Sequence, residues 1–211
     1  MSLQVQADDF ASVVSSAFPN AQVHKVDVAG FSFGGRVALA AASTHPHLIR
    51  KLHITGVPAQ RDAYGRVILT SWKDLLKSST LTAYAWSSIF ATHSEEFISK
   101  NEARVKKWAD FVGSSNTVNG LLALVEQTHT EDENDRWHPL SMAKRIVSHG
   151  YITSGRLTVG AKDNLAKVDE VQRLSKVLGW GEVDIYEGTG HAVPLEEPRR
   201  WREDLLAFLD A

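Results

Sequence analysis

The chain has 211 residues, of which 43% are hydrophobic, with a formal net charge of −2 at pH 7. That is enough apolar material for one sizeable core, and a near-neutral chain with no basic patch argues against a nucleic-acid partner. It has no Cys, which excludes a disulfide framework, a thiolate metal site and a Cys nucleophile; no apolar run approaches the ~18 residues of a membrane span.

Residues 1–9 lack the basic region and apolar core of a signal peptide, so the expectation is a cytoplasmic protein. Over 7–18, Phe10, Val13, Val14, Ala17 and Phe18 recur at helical spacing, and Pro19-Asn20 is expected to end that helix. Val26-Asp27-Val28-Ala29 reads as a short buried strand. Gly30-Phe31-Ser32-Phe33-Gly34-Gly35 follows, and then Arg36-Val37-Ala38-Leu39-Ala40-Ala41-Ala42, a run with high helix propensity that closes near His45-Pro46. Leu52 to Val57 reads as the next strand, closed by Pro58. Residues 58–150 carry no strong strand and read as helices, among them 94–112 and 117–128, a polar loop at 131–135 and a short helix over 140–146. The strand pattern returns at Arg156-Leu157-Thr158-Val159-Gly160. A helix with Val168, Val171, Leu174 and Leu178 follows, ended by Gly179-Trp180-Gly181, then a strand at Val183-Asp184-Ile185-Tyr186. The last helix opens at Pro198 and lines up Trp201, Leu205, Phe208 and Leu209. Four strands alternating with helices predict an α/β fold with a mostly parallel sheet. About 90 residues between the second and third strands are too many for a simple connection.

The chemistry gathers at strand ends. Gly30-Phe31-Ser32-Phe33-Gly34 matches G-x-S-x-G between a strand and a helix, the context of a nucleophile elbow. A serine on a sharp turn needs neighbours without side chains, and the helix start aims backbone N–H groups at a forming oxyanion. The N–H of Phe33, directly after the serine, is the oxyanion donor that the motif predicts. A dinucleotide-binding reading fails, because G-x-G-x-x-G needs Gly where Ser32 stands. Asp163 follows the strand at 156–160 and His191 follows the strand at 183–186, where ligands bind in open parallel sheets. Asp62, after the second strand, competes with Asp163 for the acid role. Asp163 also reads as a helix N-cap, and Arg36 as a surface helix residue or an anion-binding group. His45-Pro46-His47 invites a metal reading, but no carboxylate or third ligand stands at useful spacing. No metal and no cofactor is therefore expected.

Gly-Phe-Ser-Phe-Gly-Gly-Arg, Val-Gly-Ala-Lys-Asp and Gly-Thr-Gly-His-Ala-Val-Pro-Leu-Glu-Glu-Pro resemble the three signature segments of the α/β-hydrolase superfamily, over about residues 7–57 and 150–211. The resemblance implies a triad of Ser32, Asp163 and His191 acting on a small carbonyl substrate such as an ester or thioester. It implies a division into hydrolase core at 1–57 and 151–211 and a helical cap at 58–150. Trp72, Tyr84, Trp86, Phe90, Trp108 and Phe111 in the cap would either line an apolar pocket or pack its core. Within the superfamily, the elbow is also similar to that of the menaquinone-pathway lyases and of the C–C bond hydrolases. A non-catalytic protein with relic motifs is the remaining alternative. The resemblance further implies four strands and a second oxyanion donor ahead of residue 7, for which no segment stands here. On that expectation the chain corresponds to the C-terminal two-thirds of the fold, is weakly active, and self-associates through the exposed sheet edge at 26–29.

Overall fold

The computed structural model describes residues 2–18, 25–128, 131–152 and 154–211. Pro19 and Asn20, the expected end of the first helix, lie outside the described residues. Four strands form one sheet in the order of the sequence: β1 (Val26–Phe31), β2 (Ile49–Thr55), β3 (Ser154–Gly160) and β4 (Asp184–Tyr186). Every pairing is parallel. β1 and β4 are its edges among the described residues.

A parallel sheet buries both faces, and alternation along β2 shows how. Leu52 and Ile54 point into the main core, beside α2 (Phe33–Thr44). Lys51, His53 and Thr55 point the other way, to α11 (Pro198–Asp210). There the Lys51 ammonium donates to the Phe208 and Leu209 carbonyls, and Trp201 Nε1 donates to Thr55 Oγ1 at 3.0 Å. On the α2 side lie α1 (Leu3–Ala17), α8 (Pro139–His149) and α9 (Val168–Leu178), each packed against its neighbour. The Ala-rich sequence of α2 lets it pack closely: Ala38, Leu39, Ala40, Ala41 and Ala42 are all buried. In α1 the buried residues are Leu3, Ala7 and Val14, while Val13 and Phe18 are exposed. The inward face is therefore rotated from the one expected through Val13 and Phe18.

Between β2 and α8 stand, among the described residues, five helices: α3 (Ala63–Ser78), α4 (Leu81–Thr92), α5 (Glu95–Lys100), α6 (Glu102–Ser115) and α7 (Val118–Thr128). They form two apolar clusters, one around Leu69, Trp72 and Val125 that also takes in Leu165 after β3, the other around Ile89, Val105 and Ala109. α8 packs instead in the main core, through Leu140, Met142, Ala143 and Ile146. The single helix expected over 94–112 is two. Asn101 leaves the helical conformation, with its side-chain amide donating to the Phe97 carbonyl at 2.9 Å. Asn competes with the backbone in this way and breaks helices.

Candidate active site

The carboxyl end of β1 delivers Ser32. Its φ of 51° makes it the one non-glycine residue with positive φ among those described, a backbone state that costs on the order of 1–3 kcal/mol. The strain is held by close packing. A Cβ on Gly30 would stand 2.7 Å from the Gly34 carbonyl oxygen and from the Gly35 Cα, and one on Gly35 would stand 2.6 Å from Val57 Cγ2. Gly34 has open space instead. Of the two glycines after the serine, the steric need therefore sits one place later than the G-x-S-x-G pattern suggests. α2 begins at Phe33, so the Phe33 N–H is among the first-turn donors that have no partner within the helix.

The loop after β3 delivers Asp163. Its Oδ1 accepts from the N–H groups of Leu165 at 2.7 Å and Ala166 at 2.8 Å, which leaves Oδ2 aimed at His191. It is not the cap of α9, which begins only at Val168. The loop after β4 delivers His191. His191 Nδ1 stands 2.7 Å from Asp163 Oδ2, and Nε2 stands 2.7 Å from Ser32 Oγ. Both Asp163 and His191 are 2% exposed. Beside a carboxylate, the imidazole is assigned the tautomer with its N–H on Nδ1, which leaves Nε2 as an acceptor facing the Ser32 hydroxyl.

Two glycines make room for that imidazole. A Cβ on Gly56, whose φ is +70°, would stand 3.0 Å from His191 Cε1. A Cβ on Gly160 would stand 2.0 Å from the Gly190 carbonyl oxygen, so the β3 end and the histidine loop can approach only without it. Glu196 then fastens the loop. Its carboxylate accepts from Gly190 N at 3.1 Å, Ser94 N at 3.0 Å and Ser94 Oγ at 2.5 Å. Sequence reasoning missed this role, because the partner Ser94 lies 102 residues away; the Glu in Pro-Leu-Glu-Glu-Pro was the one available signal.

The other candidates fall elsewhere. Asp62 caps α3 by accepting from Gly65 N at 2.7 Å. Arg36 is 3% exposed, which corrects the surface reading: its helix faces the core. Its Nη2 reaches the Trp137 carbonyl at 3.5 Å, its Nε has no partner among the described residues, and burial pulls its pKa down to about 9. His45 pairs with Asp8. Among the described residues no group of three His, Asp or Glu could hold a metal, and no helix is long and apolar enough to cross a membrane.

A cavity of about 330 Å³ opens over Ser32 and His191, walled by Leu69, Trp72, Tyr84 and Leu124 of the five-helix segment. Of the aromatics expected there, Trp72 and Tyr84 face the cavity. Trp108 stacks on Phe97 and His93, Trp86 on Phe90, and Phe111 is 68% exposed. His93 lines the cavity too; burial lowers its pKa, so it is held towards the neutral form.

Comparison with known proteins follows the same lines. A family model described as "Alpha/beta hydrolase family" matches residues 3–204. A pyrrolizixenacetamide deacetylase of Xenorhabdus hominickii is 31% identical over 209 residues, covering 98% of this chain and 73% of that protein. Among solved structures, an alpha/beta hydrolase enzyme from a Medee basin deep-sea metagenome library superposes with a TM-score of 0.83 at 18% identity, over 100% of this chain and 73% of that one. The enol-lactonase of Burkholderia xenovorans superposes with a TM-score of 0.79 at 13% identity, over 100% of this chain and 74% of that one. At those identities the two structures speak for the fold alone.

Proposed function

The chain belongs to the alpha/beta hydrolase family, and from that premise we propose that it is a serine hydrolase that cleaves esters, thioesters or amides through Ser32, His191 and Asp163. The observation that carries this reading is the unbroken pair of 2.7 Å contacts from Ser32 Oγ through the His191 ring to Asp163. The 31% identical relative is named for removing an acetyl group from an amide, which is acyl transfer from a carbonyl carbon and supports the reaction class.

In this mechanism Ser32 Oγ attacks the carbonyl carbon while its proton passes to His191 Nε2. The carbonyl oxygen becomes an oxyanion and accepts from the Phe33 N–H, at the positive end of α2. The tetrahedral intermediate collapses, the carbon–leaving group bond breaks, and the leaving oxygen, sulfur or nitrogen takes the proton from His191. Water then repeats the sequence on the acyl-serine, returning the free enzyme and a carboxylic acid. Asp163 keeps the Nδ1–H tautomer in place and balances the imidazolium that forms in each half. Its own position is set by Leu165 and Ala166 N–H groups, so the orienting group is itself oriented.

A fluorophosphonate probe tests the assignment. Covalent labelling of the wild type, absent in Ser32→Ala, is the expected result. A folded wild type that takes no label, or a Ser32→Ala protein that takes it equally, overturns the reading.

A further inference from the structure

The catalytic cavity contains a charge for which this mechanism has no use. Its walls are mostly apolar, and Arg61, six positions past the end of β2, is the guanidinium among them. The backbone fixes it: Nη1 donates to the Leu165 carbonyl at 2.6 Å and Nε to the Thr128 carbonyl at 3.3 Å. Both partners are neutral. Among the described residues Nη2 has no hydrogen-bond partner, and no carboxylate forms an ion pair with Arg61. The two acids whose field reaches it are Asp163 and Asp62. Asp163 is engaged by His191, Leu165 and Ala166, and Asp62 by the first turn of α3.

The surroundings raise the need for an anion. Arg36 and Arg61 also line a second, small space of about 10 Å³ that Ser32 does not line. Arg66 lines that space as well, with one carboxylate, Glu131, which pairs with Arg66 at 3.4 Å, so three guanidinium side chains meet a single acid there. Desolvation pulls the Arg61 pKa down to about 10, still far enough above neutrality to keep the proton. A desolvated cation is costly unless an opposite charge meets it. A guanidinium already held at Nε and Nη1 presents its remaining N–H donors in a fixed plane, which suits a planar carboxylate.

We propose that Arg61 binds a carboxylate carried by the substrate away from its scissile carbonyl, so that the enzyme acts on half-esters or half-amides of dicarboxylic acids, or on acyl derivatives of hydroxy or amino acids. This specificity rests on the Ser32 reading for its chemistry, but the binding of the carboxylate does not. Serine attack at one end and guanidinium capture at the other would orient an otherwise slippery chain in an apolar cavity.

The test has two arms. In the first, kcat/KM is measured for mono-4-nitrophenyl glutarate and adipate against neutral 4-nitrophenyl esters of equal length, and for acetate esters of hydroxy acids against those of the matching alcohols. The charged member of at least one pair is expected to lead by roughly 10- to 100-fold. In Arg61→Gln that ratio collapses towards one; in Arg61→Lys, which keeps the charge and loses the fork, it falls by less. In the second arm, calorimetry follows glutarate and adipate binding to Ser32→Ala and to the Ser32→Ala/Arg61→Gln double variant. Binding is expected only where Arg61 is present. If Ser32 takes no probe and no ester turns over, yet dicarboxylates bind through Arg61, the hydrolase reading fails and the carboxylate site stands. Should wild type turn over neutral esters as well as charged ones, or should dicarboxylates bind equally without Arg61, the site is overturned while the hydrolase reading stands. If wild type shows no turnover preference and Ser32→Ala binds no dicarboxylate, the site is overturned without recourse to any Arg61 variant, so a poorly folding Arg61→Gln does not shield it.

Discussion

At the scale of single residues, two aspartates at strand ends carry opposite expectations. Asp163→Asn should lower kcat/KM by about 10⁴ if the carboxylate sets the imidazole tautomer. Asp62→Asn should leave the rate near wild type, since Asn is also a good N-cap; steady-state kinetics of the two variants on one ester decide between them. The glycines divide just as sharply. Gly34→Ala meets nothing within 4 Å and replaces Gly by a better helix former, so thermal unfolding should move upward by an amount worth about 0.5–1 kcal/mol. Gly35→Ala drives a methyl to 2.6 Å from Val57 Cγ2 and should cost about 1–3 kcal/mol, with the serine displaced and activity lost. Ser32, Asp163 and His191 were legible in the sequence because each carries a local signal: a glycine-bounded turn, a strand end, a Gly-rich loop. Glu196 and Arg61 were not. What defines them is partners 102 and 104 residues away, and a long-range hydrogen bond leaves no local periodicity.

Among the elements, the contact of β2 with α11 has a consequence for acid stability. His53 is buried between Trp201 and Phe208, with Nε2 at 3.1 Å from Thr158 Oγ1 and Nδ1 without a partner among the described residues. Desolvation, then the Arg156 charge, pull its pKa from 6.5 to about 4, against an opposing pull from Asp204. The folded chain thus refuses a proton that the unfolded chain accepts. Above pH 6.5 neither state binds it and nothing is lost; from 6.5 down to 4 the unfolded state alone is protonated, and stability falls with pH; below 4 the loss is complete. The whole effect is on the order of 3 kcal/mol. Chemical denaturation at pH 7 and pH 4.5 should show a smaller acid loss in His53→Gln than in wild type. The order of the four strands was readable because period and punctuation agree at each of them, while α3 and α4 were not separately placed. Less readable were the inward face of α1 and the break at Asn101, both decided by neighbours that the sequence does not name.

For the molecule as a whole, the five-helix segment and the sheet have distinct apolar clusters; of the buried members of the segment's clusters, Leu165 alone comes from the sheet side and joins the two. Polar ties hold the segment over the histidine loop: Ala192 N donates to the Thr92 carbonyl at 2.9 Å, and Glu196 joins Ser94 to Gly190. Glu196→Ala removes three hydrogen bonds at once and should lower kcat/KM by about 10- to 100-fold, since a small misplacement of a catalytic group is costly. Hydrogen exchange should quicken at Ser94 and Gly190 while the amides of β2 and β3 stay protected. Uniform quickening across the sheet would mean that Glu196 supports the global fold and has no special hold on His191.

The strict order of the sheet also sets a timetable for biosynthesis. Ser32, Arg61, Asp163 and His191 leave β1, β2, β3 and β4 in turn, and His191 is 159 residues behind Ser32. At about 5–20 residues per second, a ribosome needs on the order of ten to thirty seconds to carry synthesis from one to the other. On the proposed mechanism, the nascent chain holds throughout that interval a serine hydroxyl with no base to activate it, because the residue proposed to arm it is the last of the four to be made.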